Sequence, residues 1–420
     1  MNELLQQVRV LDPVGGVDRV ADVLIVGGTI RAMGDRLSDY PTDTELRDCQ
    51  GFVLGPGLVD LYSARGEPGH EDRETLESLR QAAAAGGFTR ITILPNTDPP
   101  IDRPSEPSFL RSQPSPPNSP QIGIWGALTL DLAGERMAEL VELAAAGVVG
   151  FTDGKPLNNW VLVRRLLEYL QPVGKPVAFW CCDRALAGDG VAREGVESVR
   201  LGLPGNPAIS ETSAVAALLE CVAATGTPIH LMRISTARSV ELIRDAKARN
   251  LPVTASTTWL HLLRDARDLA SYDPNLRLEP PLGNPSDRQA LIEGVKTGVL
   301  DAVAIDHTPH TYEDKTVAFA QAPPGAIGLE LAPPLLWQSF VVEHNGSPLD
   351  LWRVLSTHPA RCLQQKPPQL EIDRPAEMTL FDPDRTWTVD GQTLKSLSRN
   401  TSWLGHTIQG RVVQTWMGNG

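Results

Sequence analysis

The side chains best suited to chemistry stand in short words at the ends of apolar runs. Asp306-His307-Thr308-Pro309-His310 gathers one carboxylate and two imidazoles, and Asp153 follows Val148-Val149-Gly150-Phe151-Thr152. Such groups can exchange protons as general acids and bases or ligate a metal ion at about 2.0–2.2 Å. His307 and His310, three apart, could chelate together or could each be a hydrogen-bonded loop histidine. Cys181-Cys182 adds two thiols, which bind zinc well as thiolates. Adjacent strand residues point to opposite faces, so at most one of the two faces inward. No other cysteine stands at an expected strand end, so buried structural cysteines are the plainer reading. His70, His261, His344, His358 and His406 have no chemical neighbours in the sequence and read as surface or core residues. Arg233 ends His230-Leu231-Met232-Arg233 and cannot be a ligand, because its guanidinium stays protonated and has no free lone pair.

Positioning these groups falls to a regular alternation. Apolar runs near 58–62, 89–95, 122–127, 148–152, 176–181, 228–234, 252–257 and 300–306 read as buried strands of a parallel sheet. Helical patterns separate most of them, over 72–85, 158–170, 210–225 and 236–249, and Ser286-Asp287-Arg288-Gln289 reads as a capping box for a further helix ending near Gly298. Eight strand–helix units over about 250 residues fit an α/β fold of the TIM (β/α)8 barrel type, whose chemistry sits at the carboxyl ends of the strands. A doubly wound sheet is the rival, but no Gly-rich phosphate turn follows the first strand. The proline-rich stretch 104–120 leaves room only for a short helix and reads as an exposed loop. The ends differ in character. Val23-Leu24-Ile25-Val26 and Thr29-Ile30-Arg31-Ala32-Met33 flank Gly27-Gly28 like a hairpin, and Met378-Thr379-Leu380-Phe381, Thr407-Ile408 and 411–416 are again strand-like. The expectation is a small β-sandwich domain built from 1–55 plus 370–420, enclosing a barrel domain over 56–369.

Composition narrows the classes further. The 420 residues carry a formal charge of −13, which argues against a nucleic-acid or anionic-membrane partner. No run approaches the roughly 18 apolar residues of a membrane span. Met1-Asn2-Glu3-Leu4-Leu5 lacks the regions of a signal peptide, and five cysteines form no evident disulfide framework. A cytoplasmic chain is expected.

Several strand-end words together resemble the dihydroorotases, cyclic amidohydrolases of pyrimidine biosynthesis, in their longer bacterial form. They are Pro56-Gly57-Leu58-Val59-Asp60, Glu67-Pro68-Gly69, Ala83 to Thr89, Pro95-Asn96-Thr97-Asp98-Pro99-Pro100, Phe151-Thr152-Asp153-Gly154, Gly202-Leu203-Pro204, Ile234-Ser235-Thr236-Ala237, Pro280-Pro281-Leu282 and Asp306 to Thr311. The resemblance spans essentially the whole chain. It implies a metal-dependent barrel of the amidohydrolase type that opens and closes the dihydroorotate ring with one or two zinc ions, which lower the pKa of bound water to about 7. It further implies a His-x-His pair after the first strand, Asp after the fourth, His after the fifth and sixth, and Asp after the eighth.

Here the sequence departs from the family. The first-strand pair falls on Tyr62 and Ala64, the fifth-strand histidine on Trp180 and the sixth-strand histidine on Arg233, leaving Asp153 and Asp306. No cofactor is therefore expected where the family uses zinc. Two buried carboxylates without a counter-charge would cost several kcal/mol each, so Arg233 is expected to pair with Asp306 or Asp153. Asp306 keeps the position of the family's general acid and base. Asn96 and His310 match residues that hold dihydroorotate, although Asn96 could equally cap the second strand. The family arginine after the first strand aligns with Gly66, with Arg65 one residue away. Glu279 replaces an asparagine and would repel a substrate carboxylate unless Arg65 or Arg277 screens it. Lys155 stands in a loop after Asp153-Gly154 and is a poor match for the carbamylated lysine of related amidohydrolases.

Three readings follow. The first is a dihydroorotase-like protein without the activity, a homo-oligomer acting as a structural or regulatory partner. Inactive members of the family assemble with aspartate carbamoyltransferase, which makes that enzyme the partner implied. The second is an active dihydroorotase or related cyclic amidohydrolase with an atypical site. The third is a metal-free binder of a pyrimidine-like ligand.

Overall fold

The computed structural model describes residues 2–112, 116 and 118–418. Eight strands form where the apolar runs lie. Leu58–Ser63, Phe88–Ile93, Gln121–Gly126 and Gly150–Phe151 pair in parallel as the first to fourth barrel strands. Ala178–Trp180, Ile229–Met232, Val253–Thr258 and Ala302–Ala304 continue in parallel as the fifth to eighth. A parallel bridge between Phe151 and Val177 joins the two halves. Backbone hydrogen bonds from Asp306 to Tyr62 (3.1 Å) and from Ala64 to His307 (2.8 Å) close the barrel at its carboxyl end.

Strand alternation sorts the core. Leu231 and Phe179 belong to the outer cluster, packed with helix residues such as Leu79, Val163, Leu218 and Ile243. Met232 and Ala178 face the other way and join Val59, Leu61, Trp125, Ala302 and Ala304 in a separate cluster filling the barrel. Helices Leu76–Ala85, Trp160–Leu170, Ile209–Thr225 and Ala237–Ala248 lie within the spans expected from periodicity, give or take a residue at an end. The first is capped by Thr75, whose hydroxyl accepts from the Ser78 amide at 3.1 Å. It ends at Gly86-Gly87, where a Cβ on Gly87 (φ +86°) would meet the Thr379 side chain at 2.5 Å.

Two local expectations need correction. The later helix spans Pro285–Lys296 and is capped at Asn284, two residues before Ser286. Pro285 needs no amide partner at the first helical position, and Asp287 accepts from the Asn284 amide at 2.8 Å. Within 104–120, which reads as an exposed loop, a helix runs over Ser105–Ser112 with Pro107 buried in its first turn, where the missing N–H costs nothing. Residues 113–115 and 117 of that stretch lie outside the described residues.

Both chain ends enter one seven-stranded mixed sheet. Val17–Val26 and Thr29–Gly34 make the hairpin, with Gly27 and Gly28 at φ +57° and +76° as its two-residue turn. Asn2–Asp12 pairs with Val17–Val26 on one side and with Glu45–Asp48 and Val53–Pro56 on the other. Glu377–Thr388 adds antiparallel to Val53–Pro56, and Thr407–Met417 to Glu377–Thr388. Leu5, Val8, Val23, Ile30, Leu54, Met378 and Leu380 share its apolar core. Among the described residues no helix is long and apolar enough to cross a membrane.

Candidate functional site

At the carboxyl end of the barrel the sixth and eighth strands deliver Arg233 and Asp306 to one point. Arg233 Nε donates to Asp306 Oδ2 at 2.8 Å and Nη2 to Oδ1 at 2.6 Å, a bidentate pair, while Nη1 reaches the Gly154 carbonyl at 3.3 Å. Burial works against the Arg233 charge, but Asp306 outweighs it and holds the guanidinium above its ordinary range. Of the two carboxylates expected as partners, Arg233 takes Asp306. Asp153 is satisfied elsewhere, accepting from the Leu128 amide (2.8 Å), the Thr129 amide (2.9 Å) and the Thr129 hydroxyl (2.5 Å). Its burial raises its pKa.

The residues standing at the other expected ligand positions pack around that pair. The Arg233 guanidinium lies 4.8 Å from the centre of the Trp180 ring and 5.7 Å from that of Tyr62. The Arg184 guanidinium also lies 4.8 Å from the Trp180 ring centre. Tyr62 is fully buried, its hydroxyl accepting from the Arg233 amide (3.1 Å) and bonded to Ser256 Oγ (3.0 Å). Ser256 Oγ contacts His230 Nε2 at 2.8 Å, and His230 Nδ1 meets Thr254 Oγ1 at 2.9 Å. Residues 62, 180 and 233 thus form one packed unit. Ala64, the fourth, is a small residue in the wall of the adjoining cavity.

That cavity holds about 290 Å³ and is walled by Asn96, Lys155, Trp180, Arg184, Arg233, His261 and Asp306 among others. Asn96 is exposed there, and Lys155 stands exposed in the loop after Asp153. The other two substrate-binding candidates lie elsewhere. His310 is buried with Nε2 against the Pro324 carbonyl (3.0 Å), and it lines a different groove beside Lys315 and Asn400. Arg65 is also buried, and burial lowers its pKa to about 10. Neither is in the described wall of the 290 Å³ cavity. Glu279 is screened by Arg184 (3.2 Å) and by Arg277 (3.4 Å), as foreseen for Arg277 but not for Arg65.

His307 and His310 do not converge. His307 Nδ1 accepts from the Gly328 amide (3.1 Å), so its Nε2 carries the hydrogen and donates to Glu74 at 3.3 Å. Glu74 also accepts from the Ser396 hydroxyl and from the Leu397 amide at 3.0 Å. The cysteines split as alternation requires. Cys181 packs in the outer core and Cys182 against Trp180 and Ala187. Among the described residues no three His, Cys, Asp or Glu side chains are grouped so as to hold a metal ion.

Sequence reasoning missed Arg184, and His261, read there as a surface or core residue, is buried at the cavity wall. Arg184 comes from a helix of four residues, and His261 follows the seventh strand with Nδ1 bonded to Thr258 (2.7 Å) and Nε2 to the Pro280 carbonyl (3.1 Å). Burial pushes the His261 imidazole down to about 4. The position of His261 three residues beyond the seventh strand was the available signal.

A family model described as Dihydro-orotase-like matches residues 51–239. A probable dihydroorotase-like protein of Synechocystis sp. is 45% identical, over 97% of this chain and 98% of the relative. A dihydroorotase of Syntrophus aciditrophicus is 36% identical, over 99% of this chain and 97% of its own. Among solved structures, the L-hydantoinase of Arthrobacter aurescens superposes with a TM-score of 0.84 at 21% identity, covering 100% of this chain and 95% of that one. At that identity the likeness concerns the fold alone.

Proposed function

The chain belongs to the dihydroorotase-like family of amidohydrolase barrels, and we propose that within it this protein neither holds zinc nor hydrolyses dihydroorotate. It serves instead as a structural or regulatory partner in the cytoplasm, in pyrimidine biosynthesis. The observation that carries this reading is the Arg233–Asp306 pair. A guanidinium fills the place of an imidazole donor, and both oxygens of Asp306 are engaged by it. Zinc does not fit this donor set. A cation held at Asp306 would face a permanent positive charge, with Tyr62 and Trp180 supplying no imidazole on either side. Both oxygens of Asp306 are engaged by a fixed cation, which sets the residue against the role of general base.

Aspartate carbamoyltransferase is the partner to test, with the protein itself as a homo-oligomer. Protein purified without added metal should contain no stoichiometric zinc, should not cyclise carbamoyl-aspartate, and should co-elute with that enzyme on size exclusion. Stoichiometric zinc together with turnover abolished by a chelator would instead establish the alternative, an active cyclic amidohydrolase with an atypical site. The 290 Å³ cavity, with Asn96 and Lys155 exposed at it, favours a second reading in which the site binds a pyrimidine-like ligand without metal. Dihydroorotate at 100 times its dissociation constant would then add about 2.7 kcal/mol of stability.

A further inference from the structure

Trp180, Arg184 and Glu279 form a partition, lining the barrel-mouth cavity on one side and a second cavity of about 420 Å³ on the other. The geometry points to this second cavity as a binding site for a small oxyanion, a carboxylate or phosphoryl group recognised by Arg193 and Arg277.

Arg193 is 1% exposed, and its charge is poorly answered. Nη2 donates to Ser235 Oγ at 2.7 Å, but Nη1 reaches only the two Asn206 oxygens at 3.4 and 3.5 Å, and Nε has no partner. The nearest carboxylate, Glu211, is 4.0 Å away. It is already occupied, accepting from the Ser235 and Thr236 amides at 3.0–3.1 Å and from both hydroxyls. Arg277 repeats the pattern. It is buried, Nη1 donates to the Leu278 carbonyl at 2.6 Å, Nη2 meets Glu279 at 3.4 Å, and Nε has no partner. Glu279 is shared with Arg184. Burial draws the Arg277 pKa below its ordinary range, as expected of a cation short of counter-charge.

The Trp180 indole N–H is likewise buried without a partner. Three N–H donors therefore stand unanswered in the residues of one wall, and each buried donor left so costs roughly 1–3 kcal/mol. A ligand held by these two guanidiniums must bring acceptors and negative charge. Paired guanidiniums select planar carboxylate or phosphoryl oxygens over other acceptors. The volume suits a small metabolite. Asp189, also in the wall, is exposed to solvent, so the counter-charges of the two buried arginines are the shared carboxylates Glu211 at 4.0 Å and Glu279 at 3.4 Å.

The test is a thermal-shift titration of the full chain with sodium succinate and, separately, inorganic phosphate. Sodium chloride at matched ionic strength and neutral succinamide are the controls. A saturable rise in Tm is expected with one of the oxyanions and with neither control, and the two arms distinguish carboxylate from phosphoryl recognition. Arg277→Gln should weaken binding at least tenfold. Ala320→Trp, at an exposed residue of the same wall, should abolish it by filling the cavity without removing a charge, which keeps the test decisive if Arg277→Gln fails to fold. No saturable rise with either oxyanion, or a rise that Ala320→Trp leaves unchanged, would overturn the assignment. The readout is independent of zinc content and of turnover.

Discussion

Arg233 and Asp306 meet at the barrel mouth with both backbones in the left-handed region, at φ +56° and +51°. Neither is glycine, and such conformations cost about 1–3 kcal/mol each unless their surroundings over-determine them. Here the surroundings do so. The Arg233 amide is bonded to Tyr62, the Asp306 amide to the Tyr62 carbonyl, and the side chains to each other. The strained backbone aims two side chains at one point, where they meet as an ion pair.

Breaking that pair should be costly on either side. Arg233→Met should destabilise the protein by about 3 kcal/mol, because it leaves the partly buried Asp306 without a counter-charge. Asp306→Asn should do comparable damage. The double variant should lose clearly less than the sum, and urea unfolding of all four proteins measures this coupling.

On the proposed reading, conferring metal affinity should require removing the arginine. Tyr62→His, Ala64→His and Trp180→His together, with Arg233 kept, should still take up no stoichiometric zinc. Adding Arg233→His should confer uptake by freeing Asp306. Elemental analysis of both variants after zinc exposure decides between charge exclusion and simple absence of imidazoles.

The buried His230 makes stability sensitive to acid. Burial pushes its imidazole down to about 3, whereas unfolded it titrates near 6.5. Between those values the unfolded chain binds a proton that the folded chain refuses, so its contribution is full above pH 6.5 and declines as pH falls toward 3. The slope is about 1.4 kcal/mol per pH unit. The stability of the wild type relative to His230→Gln should therefore fall across that window and stay flat above it.

Glu74 should prove to be a strut between the chain's late segment and the barrel mouth. It holds His307, Ser396 and Leu397 while 0% exposed. Glu74→Ala should cost about 3 kcal/mol. Hydrogen exchange should speed up first at 395–398, ahead of the barrel strands.

The eight barrel strands were legible because a sheet buried on both faces writes itself as continuous apolar runs, Val253–Thr258 excepted in its hydroxyls. The pairing of Arg233 was legible in kind, since buried carboxylates demand a counter-charge, but the choice of Asp306 over Asp153 was not. That choice depends on the Leu128 and Thr129 donors, which come from a different loop. Arg184 and Arg193 come from the connection after the fifth strand and Arg277 from the one after the seventh, and nothing local in Asp183-Arg184 or Ala192-Arg193 announces that they meet. The placement of His310 away from the mouth follows from its bond to Pro324, a contact no spacing encodes.

The union of both chain ends in one sheet has a consequence for biosynthesis. On the ribosome, Val53–Pro56 emerges early, yet its antiparallel neighbour Glu377–Thr388 is made only after every barrel strand. Throughout that interval the nascent chain presents an unpaired edge, the kind of surface that templates association with other chains. Chaperone demand during translation should thus fall on the segment up to Pro56 more than on the barrel that follows it.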